Sequence, residues 1–173
     1  VEASAETAKT AIDNATSEND VTTAEEAGKE EILEEVKDDA ITDISNATEK
    51  AIESIDNLDN LTDEEVANLK EEIANEAEAA KQNVEDSAKI SDVSKSDSEG
   101  KDELSDTVDD GVAQDFVNEY ASGDDNNPYD ITDDKITIDN IEQILSGSDA
   151  YDSLTPEQRA KVDLIISTPN GSE

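Results

Sequence analysis

Apolar residues along this chain recur at steps of three and four, the spacing of a helix face. From 62 to 88, "TDEEVANLKEEIANEAEAAKQNVEDSA" puts Val66, Leu69, Ile73, Ala77, Ala80 and Val84 on one stripe of a helix whose other faces are charged. Two signals mark its start: Thr62 with Glu65 forms a capping box, and Leu61 with Val66 takes the two positions of a hydrophobic staple. Upstream, Val36, Ala40, Ile44, Ala47, Ala51, Ile55 and Leu58 make a second stripe, with neither Pro nor Gly from Lys29 to Leu61. The pattern predicts an all-α protein.

The stretch "AKTAIDNATSENDVTTAEEAGKEEILEEV" at 8–36 returns 72 residues later as "AKQNVEDSAKISDVSKSDSEGKDELSDTV" at 80–108. Ala8/Ala80, Lys9/Lys81, Asp20/Asp92, Val21/Val93, Gly28/Gly100, Lys29/Lys101, Glu31/Glu103 and Val36/Val108 are identical, and Ile12/Val84 and Ile32/Leu104 stay apolar. The alignment has no gap, so this is an internal repeat. Each copy ends a helix near Ala15 or Ser87 and crosses a polar turn to a shared Asp-Val. It then restarts at Thr22 or Ser94, where Thr22 with Glu25 and Ser94 with Asp97 read as box-like caps. Three helices per period are expected, over about 38–57, 62–88 and 94–108. Their Ala-rich stripes are too thin to be buried by one partner, which predicts a three-helix bundle. No break signal separates 22–36 from 38–57. The expected architecture is therefore a tandem of bundles linked by a shared helix and elongated, with a 27-residue helix giving each unit a length of about 40 Å.

Beyond Asp109 the composition changes, because all three Pro, all three Tyr, the single Phe and four of the six Gly lie there. Three short helices are expected, over 112–121, 139–145 and 156–167, the last started by "TPEQ" at Thr155–Gln158 with Pro at its first position. Ile136 and Ile138 suit a brief strand. The domain reading is 1–37 as the C-terminal part of a first repeat, 38–108 as a second repeat, and 109–173 as a small helical module, whole or in part.

Twelve basic against 49 acidic residues give a net charge of −37. That excludes the electrostatic footprint of nucleic-acid binding and attraction to an anionic membrane, and no stretch approaches the roughly 18 apolar residues of a membrane span. The partners this charge admits are cationic, polar or metal ions. Leu, Ile, Val and Phe number 34 of 173, just under the roughly 20 % below which highly charged chains are usually disordered. Helical periodicity argues against disorder. Crowded carboxylates should have raised pKa values, apart from capping acids such as Glu65. Zero Cys leaves the compartment open. The chain opens at Val1 with neither signal peptide nor initiator Met and is read as part of something longer.

The repeated stretches, with Ala-Lys, an apolar-acidic pair, a polar turn, Asp-Val and a later Gly-Lys, resemble a family of helical repeats carried by giant cell-wall-anchored surface proteins of Gram-positive bacteria. Extracellular-matrix-binding protein homologues are among them, and the repeat is catalogued as a domain of unknown function. The resemblance covers about residues 1–108. In the second copy "SKSDSEG" replaces "TTAEEAG" and weakens the helix. The segment with Phe116-Val117-Asn118, Asn140–Gly147 and Leu154–Asp163 is similar to small helical modules of surface proteins of gut Firmicutes. Both resemblances imply an exported, wall-associated, arrayed protein, and neither brings a catalytic residue.

With no His and no Cys, the commonest general base, the thiolate nucleophile and nearly every zinc or copper site are missing. Enzymatic activity and cofactors are not expected. An EF-hand read from Asp106 fails, with Val108 and Val117 where oxygen ligands belong. The stretch "DDNNPYDITDD" offers Asp124, Asp125, Asn126, Asp130, Asp133 and Asp134 as oxygen ligands, either for a weak, irregular calcium site or as a plain solvated loop. Asn14, Asn46, Asn60 and Asn170 begin Asn-x-Ser/Thr sequons that this composition produces by accident. Tyr120, Tyr129 and Tyr151 form either a small contact surface or a minimal core around Phe116. Arg159, the sole Arg, is expected on a helix surface beside a carboxylate. The functional expectation is a monomeric, non-enzymatic extracellular stalk whose partners are other segments of the same surface protein. Its alternatives are an adhesin module that binds a host or matrix protein directly, and a disordered acidic ion-binding or chaperone segment.

Overall fold

The structure, a computed structural model, describes residues 1–121, 151, 152 and 154–167, and every element among them is α-helical. Among the described residues five helices are delimited, in order: α1 (Glu2–Asp13), α2 (Glu18–Asp56), α3 (Asp63–Glu85), α4 (Ile90–Ala121) and α5 (Pro156–Ser167). The helix and strand expected at 139–145 and at Ile136 and Ile138 lie outside the described residues. Both predicted stripes are the buried ones: Ala40, Ile44, Ala51 and Ile55 on α2, and Ile73, Ala77, Ala80 and Val84 on α3.

Two chain reversals repeat at an offset of 72. Helices end at Asp13 and Glu85, and the next begin at Glu18 and Ile90. The starts lie four residues before the predicted Thr22 and Ser94. In the first copy the cap is Ser17, whose hydroxyl accepts from the Asp20 N–H at 3.2 Å, while the Thr22 hydroxyl donates to the Glu18 carbonyl inside the helix. In the second copy Lys89 stands at the corresponding place, and its carbonyl receives the Asp92 and Val93 N–H groups. Ser17-x-x-Asp20 and Thr22-x-x-Glu25 both fit a capping pattern, and the earlier one wins because it lengthens the helix by a turn.

The expected gap between a helix over 94–108 and another over 112–121 is absent, since α4 runs unbroken through Asp109. Gly111 does not stop it, because a helix tolerates Gly at a cost of about 1 kcal/mol where packing requires one. A Cβ there would lie 2.6 Å from Ile55 Cδ1 and 3.2 Å from Leu69 Cδ1. The expected helix over 22–57 is α2, also without a break.

The chain divides into two compact units, one of Val1–Glu49 with Ala74–Glu103, the other of Lys50–Ile73 with Leu104–Glu173. The first is held by small residues. Gly28 faces Ala8 and Gly100 faces Ala80 so closely that a Cβ on either glycine would overlap the alanine methyl. Around the second contact Ala40, Ile44, Ala77, Val84 and Val93 are buried. Lys37 of α2 donates to the Glu85 carbonyl at 2.9 Å, so a cation closes the C-terminal end of α3. In the second unit Ala51, Ile55, Ile73 and Leu104 are buried on α2, α3 and α4. A further cluster of Ala113, Phe116 and Val162, flanked by Val117, Tyr151, Leu154 and Ile165, seats α5 on α4.

Candidate functional site

Among the described residues no group of three or more acidic side chains is placed to hold a metal ion, and no helix is long and apolar enough to cross a membrane. Asp124, Asp125, Asn126, Asp130, Asp133 and Asp134 lie outside the described residues, as do Tyr129, Asn170 and the side chain of Tyr120. What the described residues offer instead is a set of charged helical faces and one dense polar clasp.

The clasp belongs to the second unit and starts from the turn before α3. Its capping box forms as expected: the Thr62 N–H and hydroxyl both donate to Glu65 Oε2 at 2.8 Å, and the Glu65 N–H donates to the Thr62 hydroxyl at 3.2 Å. From α4, the Asn118 amide donates to the same carboxylate oxygen at 2.9 Å and to the Asn60 carbonyl at 3.0 Å. Asp115 accepts from the Asn60 N–H at 2.7 Å. Burial pushes the Glu65 carboxyl up, but the donors from Thr62 and Asn118 outweigh it, and the group sits below its ordinary value. Asn60 thus serves as a turn residue tied to α4, whereas Asn14 and Asn46 are exposed on or beside their helices.

On the other side of α4, α5 begins with the predicted box: the Thr155 N–H donates to Gln158 Oε1 at 3.0 Å and the Gln158 N–H to the Thr155 hydroxyl at 3.1 Å. Gln158 then donates to Asp109 at 3.0 Å. Lys161 donates to the Asp106 carbonyl at 2.7 Å and pairs with Asp110 at 2.8 Å. Arg159 departs from its expected carboxylate partner. Its guanidinium donates to the carbonyls of Leu154 and Asp152, each at 3.1 Å, and lies 5.7 Å from the centre of the Tyr151 ring. Tyr151 packs 6.3 Å from Phe116 and donates its hydroxyl to Asp163 at 2.8 Å, so it joins the small core around Phe116. Reading the sequence missed the roles of Lys161 and Asn118 and the bond by which the capping Gln158 also reaches Asp109. The only hint was that Lys161 is one of two Lys after residue 101.

Elsewhere scarce cations sit among carboxylates. Lys29 pairs with Glu25 at 2.5 Å and Lys101 with Asp97 at 2.6 Å, one i,i+4 pair in each copy of the repeat. Hydrogen bonding to those carboxylates raises both lysines, and that from Lys29 lowers Glu25. Asp20 is lowered by Ser17 and Thr16. The chemistry available here is fixed negative charge and hydrogen bonding, with no imidazole or thiol anywhere in the chain.

No curated protein and no solved structure matches the chain. Residues 36–111 match a protein family described as Domain of Unknown Function (DUF1542), a span that runs from the middle of α2 through α3 to Gly111 of α4 and is close to one 72-residue period.

Proposed function

We propose that this chain is a non-enzymatic spacer segment of a bacterial cell-surface protein, extracellular and wall-associated, which presents a distal binding region. The observation that carries the reading is the repetition of the helix joints at an offset of 72 residues, with the same Ala–Gly contact and the same lysine pair in both copies. A joint of this kind allows units to be added in line, each contacting only its neighbours. The net charge of −37 favours solubility and mutual repulsion. The cell-surface setting draws support from the match over 36–111 and from the resemblance of 1–108 to repeats of Gram-positive surface proteins. On this reading 1–37 is the end of one repeat, 38–108 is the next, and 109–173 is a small module similar to those of gut Firmicutes surface proteins. Its partners are other segments of the same protein.

The test is to anchor the chain by its C-terminus to a surface, carrying a reporter binding domain fused before Val1. A panel of extracellular-matrix proteins is then passed over it at physiological salt. Only the reporter's own ligand is expected to bind. Saturable binding of a matrix protein to the chain without the reporter would make it an adhesin module instead.

A further inference from the structure

The two copies share their helix joints but not their burial. Val84 and Val93 are 0 % and 1 % exposed, whereas their counterparts Ile12 and Val21 are 36 % and 38 % exposed. Ala77 is buried and its counterpart Ala5 is exposed. The difference has a visible source. In the first compact unit α2 brings Ala40, Ile44 and Lys37 to the second copy, and Lys37 closes the end of α3. The α1 end of the first copy presents the same apolar positions to solvent.

We propose that the face formed by Ala5, Ile12 and Val21, beside the Ala8–Gly28 contact, is a docking site for a third helix of the kind found at 36–58, supplied by a preceding repeat of the same polypeptide. This rests on the spacer reading and names the contact by which one repeat joins the next. Three features of that helix fit the face. Its Ala40 and Ile44 equivalents meet the apolar positions, as in the second copy. Its Lys37 equivalent reaches the carbonyls at the C-terminal end of α1, where no basic residue stands in the last turn. Its Asp43 equivalent meets Lys29, just as Asp43 adds its charge to the environment of Lys101. Since the chain is strongly acidic, a helix that brings an Asp to this lysine and a Lys to this helix end docks without adding net repulsion at those two points.

The experiment adds a second copy of residues 36–72 directly before Val1, so that the 72-residue period continues, and follows amide hydrogen exchange along the full extended chain. Exchange in α1 is expected to slow by about ten-fold or more, toward that of the 74–85 segment of α3, with the second copy unchanged as internal reference. Ile12→Asp should cancel the gain in the extended chain and leave exchange in the second copy unaltered. Changing the added Lys37 equivalent to Ala should reduce protection at the α1 end alone. If α1 exchanges at its original rate, the docking site is refuted, whether the added segment is helical or unfolded. The spacer reading is judged separately, by the matrix-protein panel, and survives that result.

Discussion

The two compact units solve the same problem with different materials. Both must hold acidic helices together with little apolar area. The first does so by close approach: alanines and glycines let helix backbones come near, with Val84, Val93 and Ile44 filling in. The second also has a helical glycine, Gly111, but it faces the side-chain ends of Ile55 and Leu69; this unit adds a large side chain, Phe116, with Tyr151 and Val162 around it, and then ties α5 down with Lys161 and Gln158. A small-residue seam is sensitive to added volume. An aromatic cluster is sensitive to removed volume, and that contrast gives the comparison its sharpest tests.

The largest expected effect is Phe116→Ala. Removing a buried aromatic side chain costs about 3–5 kcal/mol, and here it also takes away the ring against which Tyr151 packs. Chemical denaturation should show the second unit unfolding early. Hydrogen exchange should localise the loss to α5 and residues 104–118 of α4. Equal loss in residues 1–49 would show that the two units do not differ in what holds them.

Gly100→Ala tests the seam in the opposite sense. Overpacking costs about 1–3 kcal/mol and the better helix propensity of Ala returns up to about 1 kcal/mol, so a net loss of about 1–2 kcal/mol is expected. The paired change Gly100→Ala with Ala80→Gly moves the methyl to the other helix and should recover part of the loss, a coupling that a double-mutant cycle reads directly. Gly28→Ala should cost less, because α1 is covered on fewer sides and can shift away from the added methyl. If both glycines respond alike, the first copy is as tightly held as the second.

Both behaviours relate to what the residue pattern made legible. The α2 and α3 stripes, the Thr62–Glu65 and Thr155–Gln158 boxes and both bounds of α5 could be read directly, because each rests on local spacing and capping chemistry. Gly28 and Gly100 were visible as repeated letters, but their reason was not, since a contact to Ala8 or Ala80 depends on how helices 20 residues apart in sequence pack. The start of α2 was misplaced because two cap patterns, at 17–20 and 22–25, compete within nine residues. The expected break near Asp109 failed for a similar reason: composition changes there, but only packing reveals that Gly111 makes room for Ile55. Arg159 was assigned a carboxylate on grounds of abundance, and geometry supplied carbonyls.

Lys161→Ala should have a smaller effect, about 1 kcal/mol, since it removes one hydrogen bond to a carbonyl and two partly exposed ion pairs, to Asp110 at 2.8 Å and Asp106 at 3.9 Å. The change should appear as faster exchange in α5 and be partly masked by 0.5 M NaCl, which screens the exposed part of the pairs. No salt dependence in the difference between wild type and variant would mean that Lys161 acts through its carbonyl contact alone.

The smallest effect concerns protons, and it separates local hydrogen bonds from the general repulsion of a chain at −37. Compaction of like charges would raise carboxylate pKa values and make the fold more stable as pH falls. Asp20, Glu25 and Glu65 all shift the other way, because each has donors at hydrogen-bond distance. A folded-state pKa below the unfolded one means that the unfolded chain binds the proton more readily. The stabilisation from Glu65 is therefore fully present above its ordinary value of 4.5 and is lost as pH falls through its lower folded value. Glu65→Gln keeps a capping side chain but removes the charge, so its deficit relative to wild type, under about 1 kcal/mol, should be constant from pH 7 to 5. It should then shrink between pH 5 and 3 as wild-type Glu65 becomes neutral. Melting curves of the two proteins across that range test the assignment. A deficit that stays the same at pH 3 would show that the Thr62 and Asn118 bonds do not depend on ionisation, and the polar clasp of the second unit would then be held by shape rather than charge.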